Sequence, residues 1–243
     1  MKALLAQIKA EVFMTLRRGE TLLLTVGIPV LFLIFFSTVH VVSTPTAKAV
    51  DFFVPGVLAL AVMSTAMVSL GIATGFERGY GVLKRLGSTP LGRPRLLGAK
   101  IITILAVLAV QAVILIPVGL ILGWNPGGSG SCLLSAVGVV LLATIGFAGI
   151  GLFMAGTLKP EVNLAAANGL YLVFLLLGGM IVPIGKLPSG LASVAKLLPP
   201  DALSAGLHAS LGAGAAVPPL SWAVLAVWAI AAPLAAAFTF RWE

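Results

Sequence analysis

The sequence is poor in charged residues, which make up only 9% of its 243 positions. A soluble domain carries roughly 25% charged side chains, so water cannot solvate the surface of this chain. Hydrophobic residues make up 60% and form uninterrupted runs. Because lipid offers no hydrogen bonds to the backbone, only helices and closed barrels can span it. Barrel strands alternate over about 10 residues, and these runs are about 20 residues long, so we predict an all-α, polytopic membrane protein.

Groups that hold metals or carry catalysis are also scarce. The chain has seven Asp and Glu, two His and one Cys. His40 and His208 have no partnering carboxylate cluster, so we predict no metal site. Cys132 has no second thiol and is interpreted as a small packing residue. With no G-x-x-x-x-G-K-[ST] phosphate loop and no ionisable residue deep in a span, we expect neither catalytic residues nor a cofactor in this chain.

The apolar runs predict six membrane-spanning helices in one domain, 1–243. Their approximate bounds are 21–42, 52–76, 101–123, 132–158, 162–183 and 218–240. An amphipathic pattern in 1–20 predicts an interfacial helix that includes Phe13, Arg17 and Arg18, or else a soluble lead-in to the first span. Three prolines in 184–217 predict a broken, re-entrant helical segment before the last span.

The basic residues predict how the chain is oriented. With the N-terminus inside, twelve of the 15 Lys and Arg lie on the inner side, and only Lys48, Lys186 and Lys196 lie outside. Inner loops are enriched in Lys and Arg, so both termini are expected in the cytoplasm and the chain in the plasma membrane. This distribution explains the net charge of +8 without a nucleic-acid partner.

The loop at 77–100, between the second and third spans, is too long for a minimal turn. Leu83, Leu86 and Tyr80 fall on one face of a predicted short helix, which Pro90 ends by biasing Thr89 away from the α region. The charges beside this face are Glu77, Lys84 and Arg85. The residues alone leave two interpretations open: a helix that contacts a partner protein, or a basic loop that lies on anionic headgroups.

This loop resembles the signature of ABC-2 type permeases, the membrane subunits of ATP-binding-cassette exporters, which reads roughly E-x-x-x-G-T-L-E-x-L-x-x-T-P-L. The matching residues are Glu77, Gly81, Leu83, Leu86, Thr89, Pro90 and Leu91. Val82 replaces the usual Thr and Lys84 the second Glu. The six spans, the N-terminal helix and the stretch 187–203 extend the resemblance to most of the chain.

The resemblance implies that two permeases pair, as a homodimer or with a different permease, and that ATPase subunits dock beneath them. The residues expected to contact the ATPase are Glu77, Gly81, Leu83, Lys84, Arg85, Leu86, Thr89 and Pro90. ATP and Mg would be bound by that ATPase and not by this chain. Glu77 is expected to pair with Arg17 or Arg18 or with the ATPase, or to act as an N-terminal charge of the helix.

The cargo and two rival functions are expectations too. Since the spans lack charge, the cargo is expected to be a hydrophobic or amphipathic small molecule, such as a drug, an antibiotic or a lipid-like compound. Its path would be lined by the first, second and fifth spans. Gly71, Gly75 and Gly79 are spaced for close helix packing. The rival functions are an ATP-independent secondary transporter, for which paired broken helices are missing, and a scaffold or sensor subunit.

Overall fold

A computed structural model describes residues 19–39, 44, 46, 48–87, 93–128 and 130–240. For 19–24, 86–87 and 93–97 it describes the backbone and not the side chains. All regular structure in these residues is helical, which confirms the predicted all-α class. The predicted interfacial helix, with Phe13, Arg17 and Arg18, lies outside the described residues.

Six long helices form the bundle, and we call them the first to sixth spans. Their bounds are Gly19–Thr38, Ala49–Gly79, Arg93–Ile121, Gly130–Thr157, Pro160–Leu177 and Pro219–Thr239. The second to sixth are each long and apolar enough to cross a bilayer, and the first contributes a shorter apolar helix, Thr25–Thr38. This agrees with the predicted six spans of a multi-pass membrane protein.

The third span begins earlier than the sequence analysis placed it. Its first helical residue is Arg93, whereas the analysis assigned residues up to Lys100 to a loop. Pro94 lies in the first helical turn, where a missing N–H breaks no hydrogen bond and the fixed φ suits a helix. The non-helical part of the loop is therefore much shorter than 77–100.

The second span is the central helix of the bundle. Its residues 52–63 are all buried, as expected for a helix that is apolar on every side. At Ser64–Ser69 the helix widens into a π-helical turn, a form that is rare and frequent at functional sites. It continues as an α-helix over Leu70–Gly79.

Small residues let the second and fourth spans touch backbone to backbone. A Cβ added to Gly151 would lie 2.5 Å from the carbonyl oxygen of Met67, and one added to Gly71 would lie 3.1 Å from Gly151. A Cβ at Gly79 would lie 2.6 Å from Pro160. These glycines are therefore used for packing within the chain.

The chain between the fifth and sixth spans is divided into short helices. They are a 3₁₀ turn, Ile184–Lys186, two α-helices, Ser189–Ala195 and Pro199–Leu207, and a π-helical turn, His208–Gly212. This segment lies where the second span begins, and we call this side of the bundle the Trp124 end. The opposite side, where the second span ends, is the Glu77 end.

Candidate coupling site at the Glu77 end

The loop helix, Val82–Gly87, is separated from the second span by a sharp turn. Gly81 has a φ of +70°, which glycine adopts without the penalty that a Cβ brings. Tyr80 closes the second span, so it does not share a helical face with Leu83, contrary to the sequence analysis. The turn gives the loop helix a direction of its own.

The loop helix has one buried anchor and an exposed surface. Leu83 is only 1% exposed, and the side chains of Val82, Lys84 and Arg85 are exposed. Tyr80, beside them, is 73% exposed. Leu83 therefore holds the helix against the bundle, and the surface that a partner protein can reach consists of Tyr80, Val82, Lys84 and Arg85. The side chain of Leu86, and Thr89 and Pro90, lie outside the described residues.

An ion pair joins the two spans that flank the loop helix. The Lys100 Nζ atom lies 2.6 Å from the Glu77 Oε2 atom, and the Lys100 side chain is 7% exposed against 33% for Glu77. A buried ammonium needs such a partner, since its desolvation is costly. The sequence analysis expected Glu77 to pair with Arg17 or Arg18, which lie outside the described residues, or with the ATPase, or to act as an N-terminal charge of the helix; it did not consider Lys100. The available signal was that Glu77 and Lys100 bracket the loop.

Arg78 joins the second span to the end of the fourth. Its guanidinium donates hydrogen bonds to the carbonyl oxygens of Gly156 and Leu158. The last carbonyls of a helix lack partners within the helix and carry partial negative charge, so a cation there is stabilising. The sequence analysis counted Arg78 only as a topology signal.

The fifth span is attached to the second by a buried amide. The Asn163 Nδ2 atom donates to the carbonyl oxygen of Gly71 over 2.8 Å, and Asn163 is fully buried. A Cβ at Gly75 would lie 2.5 Å from this amide nitrogen, so the glycine leaves room for it. At the Glu77 end, the second span is thus bonded to the third, fourth and fifth.

A further polar connection lies deeper, at the π-helical turn. Thr65 donates from Oγ1 to Gln111 Oε1 over 3.2 Å, and Gln111 Nε2 donates to the carbonyl oxygen of Thr25 over 2.8 Å. These bonds link the first, second and third spans. Gln111 was missed because the sequence analysis searched the spans for ionisable groups only.

The Trp124 end is held together differently. The His208 Nε2 atom lies 3.0 Å from the carbonyl oxygen of Phe52, and Trp228 Nε1 donates to that of Leu197 over 3.1 Å. Burial lowers the pKa of His208, opposed by its hydrogen bonds to backbone. Burial also raises the pKa of Asp201 to about 6, and the nearby charge of Lys196 opposes this shift.

Within the described residues, no group of three or more His, Cys, Asp or Glu is placed to hold a metal ion. What the Glu77 end offers is mechanical: a short exposed helix that follows the second span, which is itself bonded to the third, fourth and fifth spans. Such an arrangement can pass a movement from a partner protein into the bundle.

Two comparisons with known proteins bear on this site. The family model for the ABC-2 type transporter matches residues 2–211, which include the loop helix and every residue of the Glu77 end described above. No curated protein matches the chain in sequence.

Proposed function

The chain belongs to the ABC-2 type transporter family, and we propose that it serves as the permease subunit of an exporter that drives a hydrophobic or amphipathic molecule outward. As a permease component it is not itself catalytic, and an ABC ATPase is its expected partner. The observation that carries the proposal is that the second span, from which the loop helix extends, is bonded to the neighbouring spans. A coupling helix can act on the bundle only if its movement reaches those spans.

The Glu77 end is proposed to face the cytoplasm. The excess of Lys and Arg on that side supports this orientation, with both termini cytoplasmic in the plasma membrane. The ATPase, which binds ATP and Mg, would then dock on the exposed surface formed by Tyr80, Val82, Lys84 and Arg85. A helix seated in a groove of a partner is a common mode of protein recognition.

Movement of the ATPase would enter the bundle through four connections. A displacement of the loop helix pulls on the second span through Gly81, and on the third through the Glu77–Lys100 pair. Arg78 and Asn163 extend the movement to the fourth and fifth spans. The π-helical turn lies just beyond these bonds, and it is the place where the second span can bend.

The cargo path is proposed to form where two permeases meet. The first and fifth spans carry exposed apolar side chains, among them Leu31 and Phe35 in the first and Leu172 and Leu176 in the fifth. The sequence analysis also assigned the second span to the path, but the Phe52–Met63 stretch of that helix is buried inside its own chain. Exposed apolar walls favour a drug, an antibiotic or a lipid-like molecule as cargo.

Co-purification with a co-expressed ABC ATPase tests the docking surface. Val82→Asp and Lys84→Glu change the exposed surface and leave the buried Leu83 in place. We expect each to lower the recovered ATPase about tenfold, as loss of a central contact does. Leu191→Asp, an equally exposed position at the Trp124 end, is the matched control and should retain the ATPase.

Two outcomes would contradict the proposal. One is unchanged ATPase recovery and unchanged transport in both surface variants. The other is cargo movement by the purified chain in vesicles without any ATPase, which would favour the ATP-independent transporter instead.

A further inference from the structure

The first span contains a proline near its centre, and that proline removes the usual donor to one backbone carbonyl. Pro29 lies within the helix Gly19–Thr38 and is buried. In an α-helix the carbonyl oxygen of Thr25 would accept from the N–H four residues later, but proline has no N–H and also bends the helix. Water is absent from the hydrocarbon region, so the donor must come from another part of the protein.

Gln111 of the third span supplies a donor in place of the proline nitrogen. Its Nε2 atom donates to the Thr25 carbonyl oxygen over 2.8 Å, and the glutamine is 1% exposed. The other half of the amide, Oε1, accepts from the Thr65 hydroxyl over 3.2 Å. Only this orientation of the amide suits the first bond, because the reverse would set Oε1 against a carbonyl oxygen. Both halves of the Gln111 amide are therefore used, and each reaches a different span.

Thr65 belongs to the π-helical turn of the second span. Its carbonyl oxygen accepts from the N–H of Leu70, five residues later, which is the bond that widens the helix. Prolines and π-helical turns are both known causes of kinks in helices. The first and second spans each have one such irregularity, and Gln111 bonds to both.

Beyond these irregularities, towards the Trp124 end, the first and second spans pack ring against ring. The ring centroids of Phe36 in the first span and Phe53 in the second are 5.3 Å apart. Leu31 and Phe35 lie in the same half of the first span, and both are exposed apolar residues of the proposed cargo path. A change in the bend at Pro29 would therefore move this exposed apolar wall.

We propose that Gln111 is the positioning residue that makes the bend of the first span follow the bend of the second. The inference rests on the proposed function, in which movement enters the second span from the ATPase. When the π-helical turn bends, the Thr65 hydroxyl moves with it and so does the Gln111 amide. The amide keeps the Thr25 carbonyl bonded, because an unbonded polar group within lipid is unfavourable. The wall formed by Leu31 and Phe35 therefore changes position with the ATPase cycle.

Thermal unfolding of the purified chain tests the bond itself. Gln111→Met keeps an unbranched side chain and removes the donor, so we expect the melting temperature to fall by about 4 °C. Pro29→Ala restores an N–H at that position, which can donate to Thr25 within the helix. In the Pro29→Ala background, Gln111→Met should therefore lower the melting temperature by less than half as much.

Thr144→Val is the matched control for the loss of a buried polar group. Thr144 is fully buried, and its hydroxyl donates to the carbonyl oxygen of Val140 over 2.7 Å, so this bond lies within the fourth span. Thr144→Val should change the melting temperature by the same amount with and without Pro29→Ala.

A spin label on the first span tests whether this span follows the ATPase. The label is attached to Leu31→Cys in a Cys132→Ser background, and its spectrum is recorded in the complex with a co-expressed ABC ATPase. We expect the mobility of the label to change between the nucleotide-free complex and the complex trapped with ATP and vanadate. In Gln111→Met this change should be lost although the ATPase remains bound. Thr144→Val should keep the change.

Thr65→Val gives a second test that does not alter the glutamine. It keeps the shape of the side chain and removes only the donor to Gln111. The response of the label should be lost here as well, and this variant replaces Gln111→Met if the latter is not monodisperse.

Two results would overturn the role of Gln111 alone. One is an equal fall in melting temperature for Gln111→Met with and without Pro29→Ala. The other is a label response that persists in Gln111→Met and in Thr65→Val. If the unaltered chain bound no ATPase, or if its label did not respond to ATP and vanadate, the proposed function would fail and the inference would fail with it.

Discussion

The two ends of the bundle are tied by different kinds of bond. At the Glu77 end the ties are charged: Lys100 pairs with Glu77, and Arg78 donates to the end of the fourth span. At the Trp124 end Trp228 and His208 bond to backbone carbonyls. Two charged contacts of that end, Lys48 Nζ to the Gly123 carbonyl oxygen over 3.4 Å and the Asn125 N–H to Asp51 Oδ1 over 3.3 Å, are exposed and long. A hydrogen bond to a charged group contributes about 1.5–3 kcal/mol and a neutral one about 0.5–1.5 kcal/mol. The Glu77 end is therefore the firmer of the two.

This difference fits the proposed permease function, in which one end transmits movement and the other opens for cargo. A part that transmits movement must keep its elements together, because a loose joint would absorb the displacement. A part that opens for cargo must separate and close again, and weaker bonds between short helices allow that. The helix breaks at the Trp124 end, near Pro188 and Pro199, add places where the chain can bend.

The strongest test of this difference is the ion pair. Lys100→Met leaves the Glu77 carboxylate without its partner, and we expect the free energy of unfolding to fall by about 2 kcal/mol, below the range for fully buried pairs because Glu77 is partly exposed. The double variant Glu77→Gln/Lys100→Met should recover more than half of this loss. Denaturant titration in micelles measures both values.

A surface lysine at the same end provides the comparison. Lys159→Met lies at the start of the fifth span, is exposed, and should change the stability by less than about 0.5 kcal/mol. If Lys100→Met cost no more than Lys159→Met, the charged joint would be unimportant for stability.

An effect of similar size is expected from pH at the Trp124 end. The pKa of Asp201 is raised to about 6 from 3.8 by burial, so the folded chain holds this proton more tightly than the unfolded chain. The stabilisation linked to the proton is present below about pH 4 and is lost as pH rises through about 6. The unfolding free energy of the unaltered chain minus that of Asp201→Asn should fall by roughly 2 kcal/mol between pH 4 and pH 7. A flat difference would show that Asp201 is not buried as described.

The smallest effect is expected at Trp228. Trp228→Phe leaves an aromatic phenyl ring in place of the indole and removes the hydrogen bond to Leu197. The unfolding free energy should therefore fall by about 1 kcal/mol. Trp222→Phe, whose ring packs near Gly138, is the matched tryptophan control and should cost less. Should Trp228→Phe cost as much as Lys100→Met, the contrast between the two ends would be lost.

The spans were predictable from sequence, and several of their partners were not. Long apolar runs identified all six helices, but the start of the third was placed eight residues late because Arg93 and Lys100 suggested a loop. Glu77 was expected to pair with Arg17, Arg18 or the ATPase, or to act as an N-terminal helix charge, and within the described residues it pairs with Lys100. Charge alone cannot select among several basic residues, since the selection depends on how the helices pack.

The loop helix shows the same limit. The pattern correctly indicated a short helix with an apolar position at Leu83, but it could not say whether that side chain faces a partner or its own bundle. The turn at Gly81 decides this, since it directs Leu83 inward and leaves Tyr80 outside. The role of Gln111 was not predicted, because a neutral amide within a hydrophobic run does not indicate a function until its partners are known.

The amino-acid sequence by itself determined that this protein is helical, crosses the membrane and belongs with the ABC-2 permeases. Those properties follow from local hydrophobicity, since each helix satisfies its own backbone in lipid, and from a short run of residues in one loop. Only the tertiary structure decided that Lys100 pairs with Glu77 and that Gly71 and Gly151 are packing contacts. These features join residues far apart in the chain, and their energies exist only once the helices are packed.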